Sequence, residues 1–381
     1  MADNSSLAIA KSGKKDEFYT QYADIEAEMN AYVEYNPDVF RDKTILLPCD
    51  DPEWSNFTKY FACNFERFGI KKLISTSYAR GAGNKQLTLF EENSPLYDAK
   101  KHDTHGKLFT LTHDANGSGN IDTDDIEFLG YLEGDGDFRS EEVCKLRDEA
   151  DIIITNPPFS QFGDFLAWIM EAKKSFIIIS NQNAISLKDV FPLFKNNEIW
   201  LGQGFKGNVG YFIAPEYEDY AIAGQHKEGF IRVSGVMWVT NIDLGKRHEI
   251  LQLDTMAHNL KYNKKLRKKL EEAGVPLEYP KYVNYDAIDV PFTECIPSDY
   301  DSLMGVPISF MYKYNPDQFE IVGISLEVAE PMKNVAKKGT FLQGGNRFYT
   351  TLLTASDRQN GYLYHREYDR ILIRPKKGGN S

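Results

Sequence analysis

Asp151-Ile152-Ile153-Ile154-Thr155-Asn156-Pro157-Pro158-Phe159 is the stretch from which the fold can be read. Three isoleucines in a row, with charged residues before them, read as a strand buried on both faces. Neither proline offers an N–H, and each pushes the residue before it into an extended shape, so the strand must stop there. A stiff turn is left at the carboxyl end of a buried strand. It presents the amide of Asn156, the carbonyl of Pro157 and the ring of Phe159.

These groups suit a planar partner that carries an exocyclic amine. The amide oxygen and the prolyl carbonyl are two acceptors for the two hydrogens of an NH2 group. The aromatic ring can stack on the plane. When such an amine attacks a methyl sulfonium, positive charge grows on nitrogen, and fixed acceptors stabilise it where it develops. The plainer reading is a strand-ending turn with Asn156 as a local cap.

Working outward, Thr44–Leu47 is a short buried strand and Lys72–Tyr78 a second. Phe176–Ser180 is fully buried, and Gly235–Thr240 is a late strand. Helical spacing marks 18–35 and 162–173. Strands alternating with helices predict a doubly wound α/β sheet. Ligands of such sheets lie at the carboxyl ends of the strands. After Leu47 the usual Gly-x-Gly turn is missing, and Pro48-Cys49-Asp50-Asp51-Pro52 stands instead. Asp51 is placed to cap the next helix, with Pro52 at its first position.

Asn156-Pro157-Pro158-Phe159 resembles the catalytic motif of S-adenosylmethionine-dependent amino methyltransferases. The longer series resembles the EcoRI-type DNA adenine methyltransferases. That series includes Asp16-Glu17-Phe18-Tyr19-Thr20-Gln21, Cys49–Pro52, Gly134-Asp135-Gly136-Asp137-Phe138-Arg139-Ser140, Thr155–Ser160, Asn181–Ile185 and Tyr314–Glu320. The match fades after Glu320. The resemblance implies a Rossmann-like methyltransferase sheet followed by a C-terminal target-recognition region. It implies that Asn156, Pro157 and Phe159 are catalytic and act on an adenine flipped out of duplex DNA. For S-adenosyl-L-methionine it implies Tyr19 and Thr20 over the methionine end, and Asp50 and Asp51 at the motif after the first strand. Thr76 stands where an acidic residue commonly binds the ribose, Asp137 accepts from the cofactor's adenine amine, Phe138 packs its ring, and Asn156 borders the cofactor. The implied partner is double-stranded DNA, with a cognate restriction endonuclease acting on the same site without a stable complex.

The net charge of −12 looks wrong for a DNA-binding protein, but it is uneven. Residues 1–245 hold 24 basic and 39 acidic residues, net −15, whereas 246–381 hold 20 and 17, net +3. Charge alone does not decide the meaning of this asymmetry, since a solvated acidic surface is the bland alternative. With the motif order of the resemblance it implies a catalytic domain at 1–245, with a flexible leader at 1–13, and DNA target recognition at 246–381. Lys264, Lys265, Arg267 and Lys268, on a predicted helix with Lys269, are candidate phosphate contacts; a solvated face is the bland alternative. Trp238 is a candidate for stacking on the extruded base, although a core tryptophan competes with it. His102 and His105 have metal-like spacing without supporting ligands and read as solvated loop histidines. No apolar run is long enough to cross a membrane. Four scattered cysteines fit reduced, mostly buried thiols in a cytoplasmic protein.

The segment 114–125 carries a different signal. Asp114, Asn116, Ser118, Asn120, Asp122 and Asp125 fall at the ligand spacing of an EF-hand loop, with Gly119 at the sharp turn. This predicts a structural Ca2+, with a Gly/Asn/Asp-rich hairpin turn as the alternative. Three rival functions share parts of this pattern. Cytosine amino methylation usually has Ser in place of Asn156. Protein glutamine or RNA amino methylation uses a like motif in smaller enzymes. A calcium-stabilised DNA-binding module would make Asn156 structural.

Overall fold

The computed structural model describes residues 19–48, 50–52, 55–79, 95–213, 230–337, 340, 352–355 and 364–376. The predicted leader, 1–13, lies outside them. The chain divides into two compact units, one of residues 1–184 and 199–245 and the other of 185–198 and 246–381.

In the first unit α1 (Tyr22–Tyr35) precedes β1 (Thr44–Leu47), α2 (Asn56–Cys63), α3 (Phe65–Phe68) and β2 (Lys72–Thr76). Then come β3 (Lys107–Leu111), β4 (Glu127–Tyr131), α4 (Glu141–Glu149), β5 (Ile152–Thr155), α5 (Phe162–Glu171) and β6 (Ser175–Asn181). In the second unit lies the short α6 (Phe191–Lys195), after which β7 (Trp200–Leu201), β8 (Val209–Ile213), β9 (Phe230–Ser234) and β10 (Val236–Thr240) return to the first. Eight strands form one sheet in the order β4-β3-β2-β1-β5-β6-β10-β7. The central β2, β1, β5 and β6 are parallel. The flanking β3 and β10 run antiparallel to their inner neighbours.

The order reverses at β1, which lies between β2 and β5, so a crevice opens at the carboxyl ends of β1 and β5. The residues of β1 and β5 are all buried, because helices cover both faces. A large core cluster includes Ile45, Leu47, Ile152, Ile154, Ile177 and Ile179, packed with Phe57, Phe61 and Trp238.

One predicted boundary is corrected. The helix after β1 begins at Asn56, and its cap is Ser55, whose Oγ accepts from Phe57 N. Asp51 contributes its carbonyl to Ser55 N instead. The proline forces an extended approach, so the chain needs several more residues before helical bonds begin.

The second unit holds α7 (Met256–Tyr262), α8 (Lys264–Ala273), β11 (Ile288–Asp289), β12 (Met304–Pro307), β13 (Phe319–Ile324), β14 (Leu353–Ala355), β15 (Tyr364–Arg366) and β16 (Arg370–Pro375). Four of its strands form a sheet in the order β11-β12-β16-β13. Buried Arg370 lies 2.8 Å from Asp289 and 3.0 Å from Glu367. Within the Tyr314–Glu320 motif, the Gln318 side chain donates to Leu251 O and accepts from Leu251 N, anchoring the segment before α7. Among the described residues no helix is long and apolar enough to cross a membrane.

Candidate functional site

β5 delivers Thr155 and Asn156 to the crevice. Thr155 is buried, and its Oγ1 lies 2.7 Å from Asp50 Oδ2 and 2.8 Å from Pro48 O. Asn156 follows half-buried with its side-chain oxygen covered, and Pro157 is buried. The chain then turns into a short 3-10 helix, Phe159–Gln161, whose first backbone bond runs from Gln161 N to Pro158 O. Phe159 is half-buried and rests against the core cluster. The prolines thus hold Asn156 outside any helix, as their chemistry requires.

Asp50 is buried and fully woven into the frame. Ser55 Oγ donates to its Oδ1 at 2.7 Å, Thr155 reaches its Oδ2, and its carbonyl accepts from Thr58 Oγ1 and Ser75 Oγ. Asp51 is half-exposed next to it. This arrangement separates two aspartates that are equivalent in the sequence. Thr20 is buried beside them, held by Asn56 Nδ2 donating to its carbonyl at 2.7 Å. Its Oγ1 is buried without a hydrogen-bond partner. A buried hydroxyl without a partner is rare in a finished fold and fits a polar ligand group at this corner. Tyr19, next in the chain, is half-buried.

At the end of β2, Ser75, Thr76 and Ser77 are all buried. Ser75 serves Asp50, and Ser77 Oγ accepts from Lys107 N at 3.1 Å. The loop carrying Asp137 closes against this end. Ala79 N donates to Asp135 O at 2.7 Å, and Gly106 N to Gly134 O at 2.9 Å. Gly136 has a φ of +88°, and a Cβ there would clash with Ser77 O, so only glycine permits the approach. Phe138 packs edge-on against Phe165 at 5.0 Å and Trp168 at 5.6 Å. Asp137 Oδ1 accepts from Arg139 N at 2.8 Å and Arg139 Nε at 3.0 Å.

Other candidates are placed elsewhere. Trp238 is 1% exposed, stacked on Phe205 at 5.6 Å and set edge-on to Phe57 at 5.9 Å. Its role as a base-stacking platform is therefore corrected: both faces of β10 are covered, and the indole is core. On α8, Lys265 lies 2.9 Å from Glu294, Lys268 3.7 Å from Glu272 and Arg267 3.9 Å from Glu271. Lys264 begins the helix. Three of the four candidate phosphate contacts thus already face carboxylates, a compensation that counting over 246–381 does not show. His102 is buried near the Tyr97 ring and not solvated. Cys63 is exposed, so the expectation of mostly buried thiols fails there; Cys49 lies outside the described residues.

The loop 114–125 closes on itself. Asp114 accepts from Gly117 N, Ser118 N and Gly119 N, while Asp125 accepts from Ala115 N, Asn116 N and Asp122 N. Asn116 Oδ1 accepts from Ser118 N, Ser118 Oγ donates to Asn120 O, and Asp122 caps Asp124. Among the described residues no group of three or more His, Cys, Asp or Glu is arranged to hold a metal ion. The carboxylates that spacing aligned for a cation are turned toward amides.

Sequence reasoning missed Thr155, Ser55, Asn56 and Arg139. A lone polar residue after three isoleucines was the available signal for Thr155. Asn56 and Arg139 become visible only through Thr20 and Gln161, distant in the chain, and Ser55 only through its bond to Asp50 once the turn after β1 has folded.

The sequence model of the family described as "Adenine-specific methyltransferase EcoRI" matches residues 6–376. The chain is 41% identical over 325 residues to the Type II methyltransferase M.EcoRI of Escherichia coli, covering 84% of this chain and 89% of that protein. It is 32% identical to the Type II methyltransferase M.MgeORF184P of Mycoplasma genitalium, over 82% of this chain and 84% of that one. The identity to the Type II methyltransferase M.MpnI of Mycoplasma pneumoniae is 31%, over 82% and 83%. No solved structure matches the chain significantly. A switch-point crevice, a proline-stiffened Asn156 and similarity over most of the length agree: this chain belongs to the EcoRI family of adenine-specific methyltransferases.

Proposed function

We propose that this protein methylates the exocyclic amine of an adenine within a specific duplex DNA site. The observation that carries the reading is Asn156 held at the carboxyl end of β5 by two prolines, beside the strand-order reversal. The family and the names of the relatives support DNA over protein glutamine or RNA as substrate. S-adenosyl-L-methionine, when bound, supplies the electrophilic methyl group.

The chain's own residues do the rest. Thr20 and Tyr19 hold the polar end of the cofactor, Asp51 faces it from the end of β1, and Asp137 with Phe138 receives its adenine. Asp50 keeps β1, β5 and α2 in register and acts as frame, not ligand. Thr76, fully buried, shapes the ribose corner. Asn156 Oδ1 and the Pro157 carbonyl accept from the target amine, orient its lone pair and stabilise the charge that grows on nitrogen. Phe159 stacks on the flipped base. The amine attacks as a neutral group, so no general base is required before methyl transfer.

Target recognition belongs to the second unit. Lys264 and the partly compensated Lys265, Arg267 and Lys268 contribute to phosphate binding by exchanging carboxylates for phosphates. A cytoplasmic place of action and a cognate restriction endonuclease form part of the same proposal. The calcium reading of 114–125 draws no support from a loop whose oxygens serve its own amides, and we assign that loop a structural role.

Asn156→Ala tests the reading. Cofactor binding should stay close to normal, while methyl transfer to duplex adenine, followed by nucleoside mass spectrometry, should fall about a hundredfold or more. Near-normal turnover in a folded Asn156→Ala protein would refute it, as would methyl groups appearing on protein glutamine and not on DNA.

A further inference from the structure

Arg139 has polar partners on two separate segments of the chain near the crevice. Its Nε donates to Asp137 Oδ1 at 3.0 Å, and its guanidinium carbon lies 4.6 Å over the Phe138 ring. Its Nη2 donates to Gln161 Oε1 at 2.5 Å, and Nη1 lies 3.9 Å from Asp164. The first two partners sit on the loop that receives the cofactor's adenine. The last two sit on the 3-10 turn and helix that continue directly from Asn156-Pro157-Pro158-Phe159.

The side chain is 50% exposed, so each ion pair is screened and contributes little to folding. What a planar, forked guanidinium supplies is direction, because several donors are fixed in one plane. One residue thus spans the Asp137-Phe138 loop and the Phe159-Gln161 turn.

We propose that Arg139 is a positioning residue that holds the adenine loop against the catalytic turn, so that cofactor seated on Asp137 and Phe138 sets the placement of Asn156 and Phe159. This rests on the methyltransferase reading of the crevice. Arg139 touches neither reacting group; it acts through Asp137 on one side and Gln161 on the other.

The test compares Arg139→Lys, Arg139→Ala, Gln161→Ala and the double variant Arg139→Ala/Gln161→Ala. S-adenosylmethionine affinity is measured by calorimetry, and kcat on duplex DNA is measured at saturating cofactor. Lysine keeps a cation for Asp137 but loses the fork that reaches Gln161. Arg139→Lys should therefore bind cofactor within about twofold of wild type while kcat falls about tenfold to a hundredfold, the cost of a small misplacement of reacting groups. Gln161→Ala should show the same split. Arg139→Ala should lose both cofactor affinity and kcat, and the double variant should lose little more kcat than Arg139→Ala, since the two act as one link. If Arg139→Lys and Gln161→Ala turn over like wild type, or if their losses follow melting temperature alone, the inference is overturned. A wild-type protein that binds no S-adenosylmethionine, or leaves duplex adenine unmethylated, overturns the underlying reading as well, and that outcome is seen before any variant is made.

Discussion

Replacing Asp50 with alanine separates its structural part from the ligand role that its motif implies. The change removes the acceptors of two buried hydroxyls, Ser55 Oγ and Thr155 Oγ1, each 2.7 Å away. A hydrogen bond to a charged group contributes about 1.5–3 kcal/mol, and an unmatched buried donor adds its own desolvation cost. The two losses are unequal. Thr155 can turn to Pro48 O at 2.8 Å, so most of the penalty falls on Ser55 at the cap of α2. We expect a total loss of about 2–4 kcal/mol. For a unit of this size that lowers Tm by roughly 5–15 °C. Asp50→Asn keeps the shape and one acceptor, and should lose less than half of that. The assay is thermal unfolding beside calorimetric titration with S-adenosylmethionine. In protein that remains folded, cofactor affinity should stay within about threefold of wild type, a change under 1 kcal/mol. Asp51→Ala should do the reverse, melting normally and binding cofactor poorly. A normally melting Asp50→Asn protein that fails to bind cofactor would show that Asp50 is the ligand and that its bonds to Ser55 and Thr155 are incidental.

The remaining predictions concern stability and charge. Trp238→Ala should cost about 3–5 kcal/mol, the usual loss for a truncated core aromatic, while Trp238→Phe should leave sequence preference on DNA unchanged; altered base preference without destabilisation would restore its place at the target. Asp125→Ala should lower Tm by freeing three backbone amides, and neither added calcium nor chelation should move the wild-type Tm; a rise in Tm with calcium would revive the metal loop. In the second unit, burial pushes the Glu367 carboxyl up. His365, 3.4 Å away, and the charges of Arg370 and Lys269 outweigh burial and hold the carboxyl at about 2, from an ordinary 4.5. Its folded value is depressed, so its stabilisation is complete above about pH 4.5 and fades as pH falls toward 2. His365 is shifted upward, chiefly by the Glu367 carboxylate 3.4 Å away, so its contribution is present below 6.5 and fades as pH rises through its folded value. Urea unfolding between pH 3 and 9 should show both limbs, and Glu367→Gln should flatten both; an unchanged profile would refute the coupling.

The sequence by itself determined the central strands, because runs such as Ile152–Ile154 and Phe176–Ile179 are apolar at every position and can lie only inside a covered sheet. It also determined where β5 stops and what the turn presents, since proline acts on its own neighbours whatever surrounds it. Tertiary structure decided what depends on partners distant in the chain. Asp50 and Asp51 are adjacent and chemically alike; only Thr155, about a hundred residues away, and Ser75 single out Asp50 as frame. Trp238 reads the same from sequence whether it faces a base or a core, until Phe205 and Phe57 close around it. The spacing of 114–125 aligned oxygens for a cation, yet backbone amides stand nearer and take them. The basic residues of α8 count as charge along the chain, but carboxylates from Glu294, Glu271 and Glu272 reach Lys265, Arg267 and Lys268 in space. Local chemistry writes strands, turns and breaks into the sequence, whereas the state of a polar group is set by whatever the fold brings within about 3 Å of it.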